Sequence, residues 1–145
     1  MTIIPFEDKY RDDLIFMVLQ AKDSLGRVPG LNEDLLDIHK NYFDKGDMFW
    51  VALDENGRVV GSVGYSSVDG TDDVVLHRLY VKCDRKRQGI GTALLETAEA
   101  HIKSAGKSAI YAHLGSPKEQ WFESHSFYPK HGYVEFAPCR MVKKL

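Results

Sequence analysis

The run Arg85-Lys86-Arg87-Gln88-Gly89-Ile90-Gly91-Thr92 joins three cations to a pair of glycines at what reads as the start of a helix. The first backbone N–H groups of a helix have no partner within it, and the helix dipole adds partial positive charge at that end. Gly89 and Gly91 remove side chains where a phosphate would approach the backbone, while Arg85, Lys86 and Arg87 bring charge to the same mouth. The chemistry this suits is a diphosphate cradle. Two better-known cradles are excluded. A Walker loop needs four residues between its first glycine and Gly-Lys-Ser/Thr, and no such run exists. A dinucleotide fingerprint needs Gly-x-Gly-x-x-Gly, and Leu94 stands at the third glycine position.

The flanking elements must hold that loop in place. Val74-Val75-Leu76 leads into Leu79-Tyr80-Val81, a β-branched and aromatic run that fits a buried strand. After Gly91, apolar residues recur at Ala93, Leu94, Leu95, Ala98 and Ile102, with Glu96, Glu99 and Lys103 between them. This is an amphipathic helix, and Gly106 ends it just past Ala105.

Lys86-Arg87-Gln88-Gly89-Ile90-Gly91-Thr92-Ala93-Leu94-Leu95 resembles the acetyl-CoA motif of the GNAT superfamily of N-acetyltransferases, usually Arg/Gln-x-x-Gly-x-Gly/Ala. Lys86 replaces the usual Arg or Gln, and Arg87 stands where many members have Gly. The resemblance runs along nearly the whole chain. It implies that backbone groups of Leu79, Tyr80 and Val81 take the pantetheine arm, much as a sheet edge takes a peptide. It implies too that Lys86, Arg87, Gln88, Gly89, Ile90, Gly91 and Thr92 meet the diphosphate.

At 145 residues the chain reads as one domain, 1–145, long enough for a substantial core. Its 43% apolar and 28% charged fractions are ordinary for a soluble globular protein, and a net charge of −2 argues against a general nucleic-acid binder. Cys83 and Cys139 are too few for a disulfide scaffold and lack metal-ligand spacing, so both read as free thiols in a reducing cytoplasm. No 18-residue apolar run, signal peptide or lipidation motif is present, so neither a membrane nor a metal is expected as a partner.

Thr2-Ile3-Ile4-Pro5 reads as an opening strand. Asp8 or Asp12 starts a helix reaching Gln20 or Lys22, and a loop covers 23–30. Asn32 caps a second helix carrying Leu35, Leu36, Ile38, His39, Tyr42 and Phe43, which Gly46-Asp47 ends. Phe49-Trp50-Val51-Ala52-Leu53 and 59–65 form a hairpin about Glu55-Asn56-Gly57. After the glycine-loop helix, 108–114 forms a strand parallel to the central one through a right-handed crossover. A helical turn is read at 117–122, a short helix at 127–132, and two strands at 133–136 and 140–144 around Pro138. The order β-αα-βββ-α-β-α-ββ is that of a GNAT domain. The implied fold is α/β (α+β), with a mixed sheet of six to seven strands and about four helices, splayed between the fourth and fifth strands.

Phe127-Tyr128-Pro129-Lys130-His131-Gly132-Tyr133 resembles the family's Phe-Tyr-Glu-Lys-x-Gly-Phe segment. The resemblance implies that Tyr128 lies near the thioester sulfur and protonates the leaving thiolate as general acid. Pro129, in the family's usual Glu position, fits the first turn of a helix and sets the expected helix start there. Several relatives carry a glutamate base at the position matching Val75, where valine cannot serve. His77 shares that face by strand alternation and is a candidate base, with a structural histidine as the alternative. Glu123 or His125 acting through water stays equally open. The family's pantetheine-contacting asparagine is replaced by Gly115-Ser116-Pro117, and the following segment 118–126 is longer than usual. With the 25–31 loop it is expected to line the acceptor site, where Trp121, Phe122 and His125 either form an aromatic wall or cap the core. Glu33, Asp34 and Asp37 read as a solvated helix face, although acidic residues at the mouth would favour a cationic amine.

The function implied is transfer of an acetyl group from acetyl-CoA to a primary amine by direct attack in a ternary complex. The alternatives are an acyl-CoA-binding sensor without turnover and transfer of a longer acyl chain. The acceptor is a small-molecule or peptide amine that the sequence does not identify. Homodimers are common among relatives, but no motif here demonstrates one.

Overall fold

A computed structural model describes residues 1–115, 118 and 121–145. The chain runs β1 (Thr2–Pro5), α1 (Arg11–Ser24), α2 (Ile38–Asn41), β2 (Phe49–Leu53), β3 (Val59–Ser67), β4 (Asp73–Val81), α3 (Ile90–Ser104), β5 (Ala109–His113), α4 (Phe122–Lys130), β6 (Val134–Ala137) and β7 (Arg140–Lys144). Seven strands form one sheet in the order β1-β2-β3-β4-β5-β7-β6, antiparallel throughout except for the parallel β4–β5 pair. The expected α/β architecture, with its mixed sheet and parallel crossover, is what the chain adopts.

Alternation along β2 divides the core. Trp50 and Ala52 face Leu94, Leu95 and Ile102 of α3, while Phe49, Val51 and Leu53 face Leu14, Met17 and Val18 of α1. The sheet is therefore buried on both sides, which explains why all five β2 residues are apolar and buried.

Two helices differ from the sequence reading. The second one is broken into a 3-10 turn (Glu33–Leu36), the single-turn α2 and another 3-10 turn (Phe43–Lys45). Asp37 leaves helical geometry and accepts from the Lys40 N–H, and Asn41 Nδ2 donates to the Asp34 and Asp37 carbonyls. These local bonds compete with a continuous helical ladder. The second difference concerns α4, which begins at Phe122, so Pro129 sits in its last turn rather than its first. His125 and Tyr128, one turn apart, are both buried, and a helix presenting both must start before His125. The turn read at 117–122 falls largely outside the described residues. Elsewhere the differences are small. The first helix runs on to Ser24, β3 to Ser67, and β5 covers Ala109–His113.

Candidate active site

The site is built where β4 parts from β5. Their pairing joins Asp73, Val74 and Val75 to Ala109, Ile110 and Tyr111, while β4 continues to Val81. Beyond Tyr111, β5 stays with β7, where Ala112 meets Met141 and His113 meets Arg140. On its other side β4 remains paired to β3, Tyr80 opposite Ser62 and Val81 opposite Gly61. Among the described residues, the β5-facing edge of Leu79, Tyr80 and Val81 therefore has no strand partner.

A bulge precedes this edge. Gly64 pairs with His77 and Ser62 with Tyr80, so one residue of β3 spans Arg78 and Leu79. Arg78 takes a φ of 57°, and Ser62 Oγ donates to its carbonyl at 2.7 Å. The extra residue reverses the facing of the strand. Val74 and Leu76 pack toward α3, and so do Leu79 and Val81, whereas Tyr80 packs with the α1 side.

The loop from Val81 to α3 ends in Gly89, whose φ of 80° suits glycine and whose missing Cβ would meet nothing within 4 Å. At Gly91 a Cβ would touch Val81 and Phe127 only at ordinary distances, 3.5 and 3.6 Å. Neither glycine is demanded by close packing of the protein on itself. No side chain caps α3, so the N–H groups of Ile90, Gly91 and Thr92 are left for an anion. Arg87 and Gln88 are exposed beside them. An unpaired strand edge leading into an open, uncapped helix start fits the arm and diphosphate of a coenzyme A ester.

The cations of the loop are not equivalent. Lys86 Nζ lies 2.7 Å from Glu123 Oε2 on α4. Arg85, expected at the same mouth, instead approaches Asp54 at 3.5 Å in the β2–β3 turn. Thr92 Oγ1 lies 3.4 Å from His131 Nε2, and the Phe127 ring stacks obliquely on His131, so α4 leans against the start of α3.

Tyr128 is buried among Phe127 and Tyr133, with ring centroids at 5.3 and 5.2 Å. Burial, and then the neighbouring Tyr80 phenol, push its pKa well above the usual tyrosine value. It stays protonated at neutral pH, as a proton donor must. His77 lies on the α1 side of the sheet. Its Nε2 is 2.7 Å from Ser66 Oγ, and the Tyr42 ring stands beside it. Burial and then the Arg78 charge lower its pKa below the usual ~6.5, keeping the ring neutral. The two candidate catalytic residues thus belong to opposite faces, with the parting of β4 and β5 between them.

Asp34 is not a solvated helix residue. It receives both ends of the Arg78 guanidinium at 2.8 and 3.1 Å and the Tyr42 hydroxyl at 2.6 Å. Burial alone would raise its carboxyl pKa, but the bonds from Arg78 and Tyr42 together hold it below the ordinary carboxylate range.

Sequence reading flagged the 25–31 loop but missed Arg27. Its guanidinium carbon sits 3.2 Å from the centre of the Trp121 ring, and Trp121 in turn fills the place of a side chain at Gly115. A lone cation in a Gly/Pro-rich loop was the available signal. His125 is buried, with Nε2 3.2 Å from the Gly115 carbonyl, and Phe122 is exposed. Trp121 and His125 therefore brace the same glycine. The rest of the 118–126 segment's expected role falls partly on Glu119 and Gln120, outside the described residues.

The description "Acetyltransferase (GNAT) domain" matches residues 45–135. The chain belongs to the GNAT acetyltransferase family. Over 82 residues it is 38% identical to "Probable N-acetyltransferase camello" of Xenopus tropicalis, covering 55% of this chain and 37% of that protein. The chain thus spans little more than a third of the length of this curated relative. In fold it matches a GNAT-family acetyltransferase from Staphylococcus aureus (TM-score 0.86, 21% identity, 99% of this chain and 98% of that one). It also matches an aminoglycoside 6'-N-acetyltransferase solved with coenzyme A (TM-score 0.74, 19% identity, 99% and 97%). Among the described residues, no helix is long and apolar enough to cross a membrane.

Proposed function

We propose that this protein moves the acetyl group of acetyl-CoA to a primary amine, with both substrates bound at once. The observation that carries this reading is the unpaired β4 edge at 79–81 running into the uncapped start of α3. Acetyl-CoA supplies the activated acyl group as co-substrate. The backbone of Leu79, Tyr80 and Val81 receives its amide-bearing arm. Lys86, Arg87, Gln88, Gly89, Ile90, Gly91 and Thr92 hold its diphosphate. A backbone N–H of β4 near Val81 supports the charge that develops on the carbonyl oxygen. His77, neutral at physiological pH, takes the proton from the incoming ammonium, and Ser66 fixes its ring. Nitrogen bonds to the acetyl carbon as the carbon–sulfur bond breaks, Tyr128 gives its proton to the departing sulfur, and the second proton shed by nitrogen as the amide forms restores the Tyr128 hydroxyl through solvent. Holding both substrates in one cleft removes most of the entropic cost of their meeting.

The test is a CoA-release assay with acetyl-CoA and a panel of amines, beside calorimetry of CoA alone. Turnover that falls by about 100-fold or more in Tyr128→Phe, with CoA affinity retained, supports the reading. Tight CoA binding without turnover on any amine would move the assignment to an acyl-CoA sensor. The aliphatic Val75 and a His77 already engaged by Ser66 favour that alternative. Absence of CoA binding would overturn both.

A further inference from the structure

The acceptor side of the cleft carries more positive charge than its own carboxylates neutralise. Lys22 Nζ donates to the Gly30 carbonyl at 2.7 Å and to Asn32 Oδ1 at 2.8 Å, fastening the loop that bears Arg27. Its pKa is lowered by burial and then by the nearby charges of Arg78 and Arg27, so the three cations share one neighbourhood. Asp34 answers one of them through its two bonds to Arg78. Glu123 is engaged by Lys86. Arg27 is left with a buried Nε that has no acceptor and no carboxylate in ion-pair range, among the described residues. A guanidinium remains charged at any physiological pH, so a half-buried one without a partner is costly.

The position of Arg27 is specific. Stacking on Trp121 fixes the plane of the guanidinium and leaves its edge for a planar, two-pronged acceptor. Burial lowers its pKa, while Tyr80 and then Glu123 sustain its charge. Tyr80 is also the neighbour that raises Tyr128. Arg27 and the proposed proton donor thus have Tyr80 as a common neighbour.

We propose that the acceptor amine carries a carboxylate, and that Arg27, on its Trp121 platform, receives it. This rests on the acetyltransferase reading and deepens it. An amino acid, or a small molecule with the same ammonium and carboxylate, supplies the missing counter-charge and is held by one end while its amine reaches the thioester. Polycationic amines meet uncompensated charge from Lys22 and Arg27 and are disfavoured.

The experiment measures acetyl-CoA-dependent initial rates for matched pairs, each amino acid beside the amine lacking its carboxylate (phenylalanine with phenethylamine, for example), with spermidine included. Wild type, Arg27→Gln and Arg27→Lys are compared, and CoA binding is followed by calorimetry in each. The expected result is a preference of roughly 10- to 100-fold in kcat/KM for the carboxylate-bearing member of the best pair, the range of one charged hydrogen-bonded pair. Arg27→Gln should erase that preference through KM, and Arg27→Lys should restore part of it. Preference for the amine without a carboxylate or for spermidine, or equal effects of Arg27→Gln on both members of a pair, would overturn the proposal while leaving the transferase intact. Retained CoA binding with no turnover on any amine would instead sink the transferase reading, and this proposal with it.

Discussion

Gly61 offers a test of how the donor side is positioned, because it lies opposite Val81 in the sheet and packs under the start of α3. A Cβ at Gly61 would lie 2.7 Å from Leu94 Cδ1, 3.0 Å from Ile90 Cγ2 and 3.2 Å from the Tyr80 carbonyl oxygen. Ordinary carbon contacts are ~3.5–4.0 Å, so Leu94 must retreat by roughly 1 Å and Ile90 by somewhat less. Leu94 can swing its terminal methyl aside, but Ile90 is the first residue of α3 and Tyr80 O is backbone of the β4 edge. Gly61→Ala should therefore cost about 1–3 kcal/mol of stability by overpacking. It should also weaken CoA binding, because it moves the cradle relative to the edge. Gly64→Ala is the control. It overpacks the opposite face, where a Cβ would collide with the Phe49 ring and come within 3.1 Å of Tyr42 Cε1. Urea unfolding and CoA calorimetry on both variants separate the effects. Both should be destabilised, with CoA affinity reduced only in Gly61→Ala. Equal CoA affinity in the two variants, at equal loss of stability, would refute the idea that β3 sets the cradle.

The remaining expectations concern charge. If His77 is the base, kcat/KM should fall on an acid limb below pH ~6.5, because burial and Arg78 depress its pKa and only the neutral ring accepts a proton. A limb that persists unchanged in His77→Gln would remove it from that role. The Asp34 carboxyl, held below its ordinary range by Arg78 and Tyr42, contributes stability in full above about pH 4–5 and loses it as pH falls through the depressed pKa. Asp34→Asn should flatten the acid side of the stability profile, and an unaltered profile would show that the pair contributes nothing. Glu123→Gln frees Lys86 from a partly exposed ion pair and should tighten CoA binding by about 2–5-fold at low salt, since such pairs are worth ~0.2–1 kcal/mol. Weaker binding would mean that Glu123 supports the ligand rather than competing with it.

The parts of the fold legible in the sequence are those whose cause is local. Gly89 announces a helix start because the left-handed turn just before α3 needs it. The β2–β3 hairpin is written in Asn56-Gly57, where Asp54 accepts from the Asn56 and Arg58 N–H groups. Apolar spacing carries α3 from Ile90 to its glycine stop. What stayed hidden depends on partners far along the chain. Asp34 and Arg78 are 44 residues apart, so nothing near either one tells of the pair. The platform under Arg27 joins the loop after α1 to the residue before α4. Pro129 misled because proline is favoured in the first turn of a helix and costs a backbone hydrogen bond in the last, yet burial of both His125 and Tyr128 sets the start earlier. The break at Asp37 misled because Leu35, Ile38 and Tyr42 keep helical spacing while the backbone between them does not.

The short seam between β4 and β5 gives the molecule two unequal plates. One holds β1 to β4 and the other β5, β7 and β6, joined along the sheet at Asp73, Val74 and Val75. A strand-like ligand lying along 79–81 would lengthen that seam from one side, as a removable eighth strand. On the proposed reading, binding of the donor would stiffen the junction of the two plates and departure of the spent thiol would relax it. Those amide protons of the 79–81 stretch that point to the open edge, rather than to β3, should then exchange fast in the empty protein and slowly in the loaded one.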